Sequence, residues 1–390
     1  MSIVLYYIPI LLCAVTPFFK ELSDSRRWFI CIGIYLCLFY CFGYMTGSDW
    51  KAYEDIYNNG IDFNRLFYGY SKEPGYYVYM LLFRVLGVGF WPFFIFTKTV
   101  IFLVIYKTIF DFCKESGYVA LMYFLPLSGM YLLIDNPMRN CIAIAIFIVA
   151  VRFVIEHQFW KFLLCMLLAA SFHFSALIII LFYPLLNHNI KTWVYVFLFV
   201  VINIFFIDRD FLIGILISLL GKTPFVQDKV VTYLLMDSVF AQGKLFSFGM
   251  IWQTGLFVLM LCYRERIVER IGGAKGLFVF NSVMVYMLLL RFAMTIRMFV
   301  RFQLYFSVFV AIAVGLLLIT FEYKSRLAYW SILCLVSLYM CTDKITGSAR
   351  YVPYSNYIVY SIKGENPSYS TRYYYNIKHS PYTVDDDYAH

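Results

Sequence analysis

Apolar residues gather along this chain in long runs, each closed by a short polar cluster. The runs fall at 3–19, 28–46, 91–110, 118–134, 138–155, 159–173, 174–186, 192–207, 245–263, 276–292, 303–320 and 328–341. A helix needs roughly 20 apolar residues to cross a bilayer, so the pattern predicts an all-α, polytopic membrane protein with about 12 transmembrane helices. The stretch Tyr76–Phe90 is apolar but short and carries Arg84. It reads as a re-entrant or interfacial segment rather than a span. No soluble domain and no internal repeat interrupts the series. The pattern divides the chain into a membrane domain over 1–341 and a Tyr-rich tail over 342–390.

Composition sharpens this picture. Of 390 residues, 62% are hydrophobic and 14% charged, against about 25% charged in an ordinary soluble domain. So few charges cannot coat the surface of soluble domains, which excludes a soluble enzyme, a disordered protein and a nucleic-acid binder. Ile3–Phe19 is long enough to stay in the bilayer and no basic region precedes it, so no cleavable signal peptide is expected. Ten cysteines are scattered, at 13, 31, 37, 41, 113, 141, 165, 262, 334 and 341, mostly inside apolar runs. Without CxxC spacing or a Cys/His cluster they read as small buried hydrophobes, and neither a metal site nor a cofactor is expected. The aromatic share is 21%, including 35 Tyr. Membrane insertion alone does not call for so many tyrosines.

The net charge of +9 assigns sides. Lys20, Arg26 and Arg27, then Arg264, Arg266, Arg270 and Lys275, then Lys324 and Arg326, form three basic loops that belong in the cytoplasm. Placing both termini outside satisfies all three, provided the chain turns at His173 and splits Phe159–Leu186 into two short helices. The alternative makes Tyr76–Phe90 a true span and Phe159–Leu186 one long helix. It moves Lys107, Lys114, Arg152 and Lys161 outside, so charge disfavours it. The first arrangement leaves the loops 47–75, 135–140 and 208–244, the turn at His173 and the tail on the outer face.

Arginines that break the charge rule collect on that face: Arg139, and Arg291, Arg297 and Arg301 at a helix boundary. A guanidinium binds phosphate with paired hydrogen bonds and no metal, so these residues suit a polyanion such as a lipid diphosphate. Lipid head groups or local acids are the plainer partners. Asp49, Asp55 and Glu73 in the first outer loop are candidates for the acid–base part, as is Asp135 beside Arg139; each is equally readable as a solvated loop acid. His173, flanked by Phe172 and Phe174, is either a core histidine or a cavity-lining one. Exposed tyrosines anchor at interfaces and also stack on sugar rings.

Several of these residues stand in recognisable blocks. Gly47-Ser48-Asp49-Trp50-Lys51-Ala52-Tyr53, followed by Glu73-Pro74-Gly75-Tyr76, resembles the first outer loop of the EpsG family of Wzy-like polysaccharide polymerases. Met138-Arg139-Asn140 and Ala170-Ser171-Phe172-His173-Phe174-Ser175-Ala176-Leu177 resemble its central block. Arg301-Phe302-Gln303-Leu304-Tyr305-Phe306 and Val352-Pro353-Tyr354 resemble its C-terminal elements. The likeness runs over about residues 28–360 in order; Arg139-Asn140 departs from the family's usual Arg-Gln, and the tail beyond Tyr360 has no counterpart. The resemblance implies a glycosyltransferase of the bacterial plasma (inner) membrane that works at its outer face. It would move a growing glycan from undecaprenyl diphosphate to a new lipid-linked repeat unit, for O-antigen or exopolysaccharide. In that reading Arg139, Arg297 and Arg301, with Arg291, hold the diphosphate. Glu73 or Asp49 activates the acceptor, His173 shares that task, and Tyr53 and Tyr354 contact sugar. Implied partners are the undecaprenyl-diphosphate-linked oligosaccharide, the lipid bilayer, and a chain-length regulator and flippase of the same pathway; no nucleic acid is implied. An O-antigen ligase would share the arginines. A lipid-linked oligosaccharide flippase should show two related halves, which are not seen here, and a sugar acyltransferase needs an inward-facing site.

Overall fold

The computed structural model describes residues 3–60, 73–205, 247–296, 298–346 and 350–379, with 211, 214, 215 and 218 between. Arg297 and nearly all of the outer loop 208–244 fall outside the described residues, as do 61–72 of the first loop. The chain is helical. Among the described residues the sole extended pairing is an isolated bridge between Gly43 and Asn356.

Among the described residues, four helices are long and apolar enough to cross a membrane. They are α5 (Phe90–Phe112), α7 (Met138–Ile155), α14 (Gly273–Thr295) and α15 (Met298–Thr320). Shorter apolar helices complete the series: α1 (Val4–Val15), α2 (Arg26–Tyr40), α8 (Phe159–Phe172), α11 (Thr192–Phe205) and α12 (Phe248–Cys262). Among the described residues, then, the expected number of about 12 full-length spans is not met. Several predicted runs are broken helices. The run 118–134 begins as α6 (Gly117–Phe124) and then opens into wide turns at Leu125–Gly129 and Tyr131–Asp135. Pro126 sits at the first break and cannot donate the helical hydrogen bond.

α15 is the axis. It is buried along almost its whole length and runs antiparallel to α14. Phe292 stacks on Phe299, Gln303 Nε2 donates to the Tyr286 carbonyl at 3.1 Å, and Phe278 meets Phe309. α7 and α8 form a second antiparallel pair through Phe147 and Phe162. The chain then reverses at His173. After α9 (Ser175–Leu181), Tyr183 opens α10 (Tyr183–Asn187) and packs on Phe159 and Phe162 at 5.0 and 5.2 Å. The predicted turn at His173 is therefore a helical hairpin, and the single long helix of the alternative topology is not formed.

This reversal fixes two ends of the bundle. At one end stand the basic loops. Arg270, at the close of α13 (Arg264–Arg270), pairs with Glu115 at 2.7 Å, and Arg264 donates to Asn189 and Thr192. At the other end lie the start of α7, the His173 tip and the start of α15.

The segment expected to be interfacial is α4 (Pro74–Val85), 12 residues and too short to span. It buries Tyr76, Tyr77 and Met80 and leaves Val78, Leu82 and Val85 exposed along one stripe. The first loop, expected outside, continues α2 into the short helix α3 (Trp50–Asp55). The tail is also folded. α16 (Tyr323–Thr346) runs beyond residue 341, and α17 (Tyr357–Lys363) and α18 (Tyr369–His379) follow. Residues 350–357 are threaded beside 38–47: Gly47 N–H donates to the Arg350 carbonyl, Tyr44 N–H to Ser355 and Tyr357 N–H to Phe42.

Candidate functional site

Glu73, Arg139 and His173 come from three separate stretches and meet at the end of the bundle opposite the basic loops. Arg139 Nη1 donates to Glu73 Oε2 at 2.5 Å. Glu73 Oε1 stands 4.0 Å from His173 Nε2 and accepts from the Phe174 N–H at 3.4 Å. Glu73 and His173 are largely buried, with side chains 10% and 12% exposed, whereas Arg139 is 45% exposed. The cation thus faces outward, in front of the carboxylate and the imidazole.

Local sequence explains the convergence. Glu73 stands at the N-cap position of α4 without a side-chain capping bond, and Pro74 takes the first helical position, where a missing N–H costs nothing. Gly75 lies so close to the end of α8 that a Cβ there would sit 2.2 Å from Ser171 Oγ. Only glycine lets the two helix ends abut, which carries Glu73 to the His173 tip. His173 itself is extended, at φ −155° and ψ 122°, between α8 and α9. Arg139 is in the first turn of α7, set up by Pro137 and by Asn136 in the left-handed region at φ 56°.

A buried polar hub lies behind the histidine. Ser175 Oγ is 2.6 Å from His173 Nδ1, 2.9 Å from the Tyr305 hydroxyl and 3.1 Å from Asn140 Oδ1, to which it donates. With Nδ1 engaged by Ser175, Nε2 is the nitrogen turned toward Glu73. Tyr53, 6% exposed, lies under the Arg139 guanidinium with its ring 6.0 Å from Cζ. Burial pushes the Tyr53 phenol up to about 12, partly offset by the neighbouring Arg139 charge. It therefore stays protonated.

Asp49 joins this cluster to a second one. Its carboxylate accepts from Ser48 Oγ at 2.7 Å, and its N–H donates to the Asp135 carbonyl at 3.2 Å. Gly47 makes this approach possible: it sits at φ +89°, and a Cβ would overlap the Ile134 carbonyl oxygen at 2.0 Å. Tyr351 donates a hydrogen bond to Asp135 Oδ2. Burial raises the Asp135 carboxyl above its usual range; the Tyr351 hydrogen bond and the charges of Lys344 and Arg350 pull it back. Lys344 Nζ stands 5.4 Å from the Tyr131 ring, on which the Arg301 charge also acts. Arg301 is one helical turn before Tyr305 on α15, on the same face as the residue that reaches Ser175.

Two expected residues stand elsewhere. Arg291 is 6% exposed and turned inward, donating to Asn203 Oδ1 at 3.1 Å and meeting Met250 Sδ at 3.3 Å. Tyr354 stacks on Phe39 at 4.6 Å and donates its hydroxyl to the Phe39 carbonyl, so ring and phenol are both engaged in packing. Arg297 lies outside the described residues. Ser175, Tyr305, Tyr351 and Lys344 were not among the expected site residues. Ser175 and Tyr305 lie within the recognised blocks; nothing in the sequence marked Tyr351 or Lys344. No group of three His, Cys, Asp or Glu positioned to hold a metal ion occurs among the described residues.

The fold and this cluster together define a multi-pass helical membrane protein with a cationic, carboxylate-backed site at one end. The sequence model of the EpsG family matches residues 26–360, most of the chain. The chain belongs to the EpsG family, whose members are Wzy-like polysaccharide polymerases. No curated protein and no solved structure matches it.

Proposed function

We propose that this protein polymerises lipid-linked oligosaccharides at the outer face of the bacterial inner membrane. It transfers the growing chain from undecaprenyl diphosphate to the free end of the next repeat unit. The observation that carries this reading is the junction of Arg139, Glu73 and His173. It sets an exposed guanidinium beside a shielded carboxylate and imidazole. Charge on the departing diphosphate is stabilised by Arg139, helped by Arg301. Diphosphate is a good leaving group, so the chemistry asks only for a base at the acceptor hydroxyl. Glu73 suits that role: an arriving diphosphate draws Arg139 away and leaves the carboxylate beside His173 for the acceptor. Asp49, whose carbonyl accepts from the Tyr53 N–H, is the second carboxylate of the site. The Lys/Arg loops at the opposite end favour a cytoplasmic assignment there, which puts the junction outside.

The test uses purified protein in nanodiscs with a lipid-linked repeat unit. Wild type yields a ladder of lengthening glycans. Arg139→Ala lowers the rate by about 100-fold or more, the usual cost of removing a donor to developing negative charge. A ladder at near wild-type rate from Arg139→Ala sinks the mechanism. A single transfer to a lipid A core, with no ladder, reassigns the protein as a ligase.

A further inference from the structure

Residues 360–375 of the tail line a pocket, nearly all of it past the family match, which stops at residue 360. α17 and α18, joined through Gly364, line an open pocket of about 400 Å³. Such a volume is within the usual range for small-molecule sites, roughly 300–1,000 Å³. Tyr360, Pro367 and Tyr375 give its apolar wall; Glu365, Asn366 and Arg372 give its polar one.

The walls are preset. Arg372, 4% exposed, donates to the Pro353 carbonyl at 2.6 Å and to the Tyr360 hydroxyl at 3.3 Å. Asn366 Oδ1 accepts from the Tyr44 hydroxyl at 2.8 Å. The Tyr375 ring is held between the Arg372 guanidinium at 5.3 Å and a stacked His379 at 4.2 Å. Among the described residues the Glu365 carboxylate makes no ion pair.

The chemistry of the lining selects a ligand class. One carboxylate and one arginine balance, so nothing here favours a phosphate or a nucleic acid. Phenols, an amide and a carboxylate beside aromatic and prolyl surface suit a neutral, hydroxyl-rich ring with one apolar face. The pocket is also mechanically joined to the catalytic face. Tyr369 at the start of α18 packs against Trp50 at 5.7 Å, and Lys51 lies 5.9 Å from its ring. Both belong to α3, which also carries Tyr53 beneath Arg139.

We infer that the α17–α18 pocket is a saccharide subsite that grips a sugar of the glycan away from the reacting bond. The inference rests on the polymerase reading for its role, though not for its ligand. A grip on the chain keeps the product bound between additions, so it sets the length of the polymer rather than the rate of one transfer.

The probe is the neutral, diphosphate-free oligosaccharide released from the host's own polysaccharide, titrated against full-length protein in nanodiscs and followed by saturation-transfer NMR. Wild type shows transfer to sugar protons. The double variant Glu365→Gln/Tyr375→Phe weakens binding about tenfold or more, the scale of losing a hydrogen bond to a charged group together with a neutral one. In the polymerisation assay the same variant shortens the modal product while the first transfer keeps its rate. Arg139→Ala binds the oligosaccharide as wild type does. Equal binding by wild type and the double variant, or no saturation transfer at all, overturns the subsite. If wild type binds the sugar and the double variant does not, yet no ladder forms from any protein, the polymerase reading fails and the saccharide site stands.

Discussion

Arg139 has one carboxylate partner at 2.5 Å and an aromatic floor, which makes it a poor position for lysine. An ammonium keeps the charge and loses the planar fork. Arg139→Lys is therefore expected to retain only a small part of the transfer rate, with melting temperature within a few degrees of wild type. Recovery to near wild-type rate would show that charge alone suffices. Gly75 gives a sharper steric prediction. Even one methyl must displace Ser171, so Gly75→Ala moves Glu73 off the His173 tip. The expected result is loss of most activity with Arg139 unchanged, and double substitution Gly75→Ala/Ser171→Gly restores part of it. Equal activities of the single and double variants would show that the close approach has no part in the site. Asn136 tests the opposite case. It is fully buried at φ 56°, and neither polar atom of its side chain has a partner among the described residues. Glycine adopts that conformation freely and removes an unpaired amide, so Asn136→Gly should hold or raise stability by about 1 kcal/mol. A melting temperature lowered by several degrees would contradict this.

At the scale of helices, the reversal at His173 was legible because charge demanded it. Lys161 cannot share a side with the basic loops, opposite Arg139, unless the apolar run 159–186 turns back, and Tyr183 packed on Phe159 and Phe162 shows that it does. The same charge argument misplaced Arg291. A guanidinium at the close of an apolar run looks surface-bound in one dimension, yet Asn203 of α11 waits for it inside the bundle. The breaks after Phe124 were hidden for another reason. Hydropathy sees only that 118–134 is apolar, and one proline in such a run does not announce two wide turns. Sidedness itself is open to direct measurement. Single cysteines placed at 139 and 173 in a background lacking the native ten should react with a membrane-impermeant maleimide from outside intact spheroplasts. Labelling that requires lysis would reverse the orientation.

For the whole molecule, hydropathy conveyed the class and composition conveyed the excess of tyrosine, while the tail's destination could not be read. Its partners are hundreds of residues away: Tyr44 meets Tyr357, Tyr360 and Asn366, and Trp91 stacks with Tyr357. Such pairings leave no periodic trace. They predict that the tail is a structural part of this end of the bundle. A chain ending after residue 356 exposes Tyr44 and Trp91 and loses the clamp on α3. It should be degraded faster in cells and melt at lower temperature than full-length protein. An unchanged half-life and melting curve would show the tail to be an appendage.

The threading of residues 350–357 beside 38–47 bears on the order of events during synthesis. Tyr6 donates to the Tyr351 carbonyl and Asn356 to the Leu38 carbonyl, across separations of 345 and 318 residues. Tyr351 in turn donates to Asp135 Oδ2, and the Asp135 carbonyl accepts from the Asp49 N–H. Neither the first outer loop nor the middle of the bundle can reach its final form while the ribosome is still making α16. α1, the end of α2 and the stretch around Asp135 stay without these partners until then. The brace between Asp135 and Tyr351 therefore forms late, and a chain stalled short of residue 351 carries Arg139, Glu73 and His173 without it.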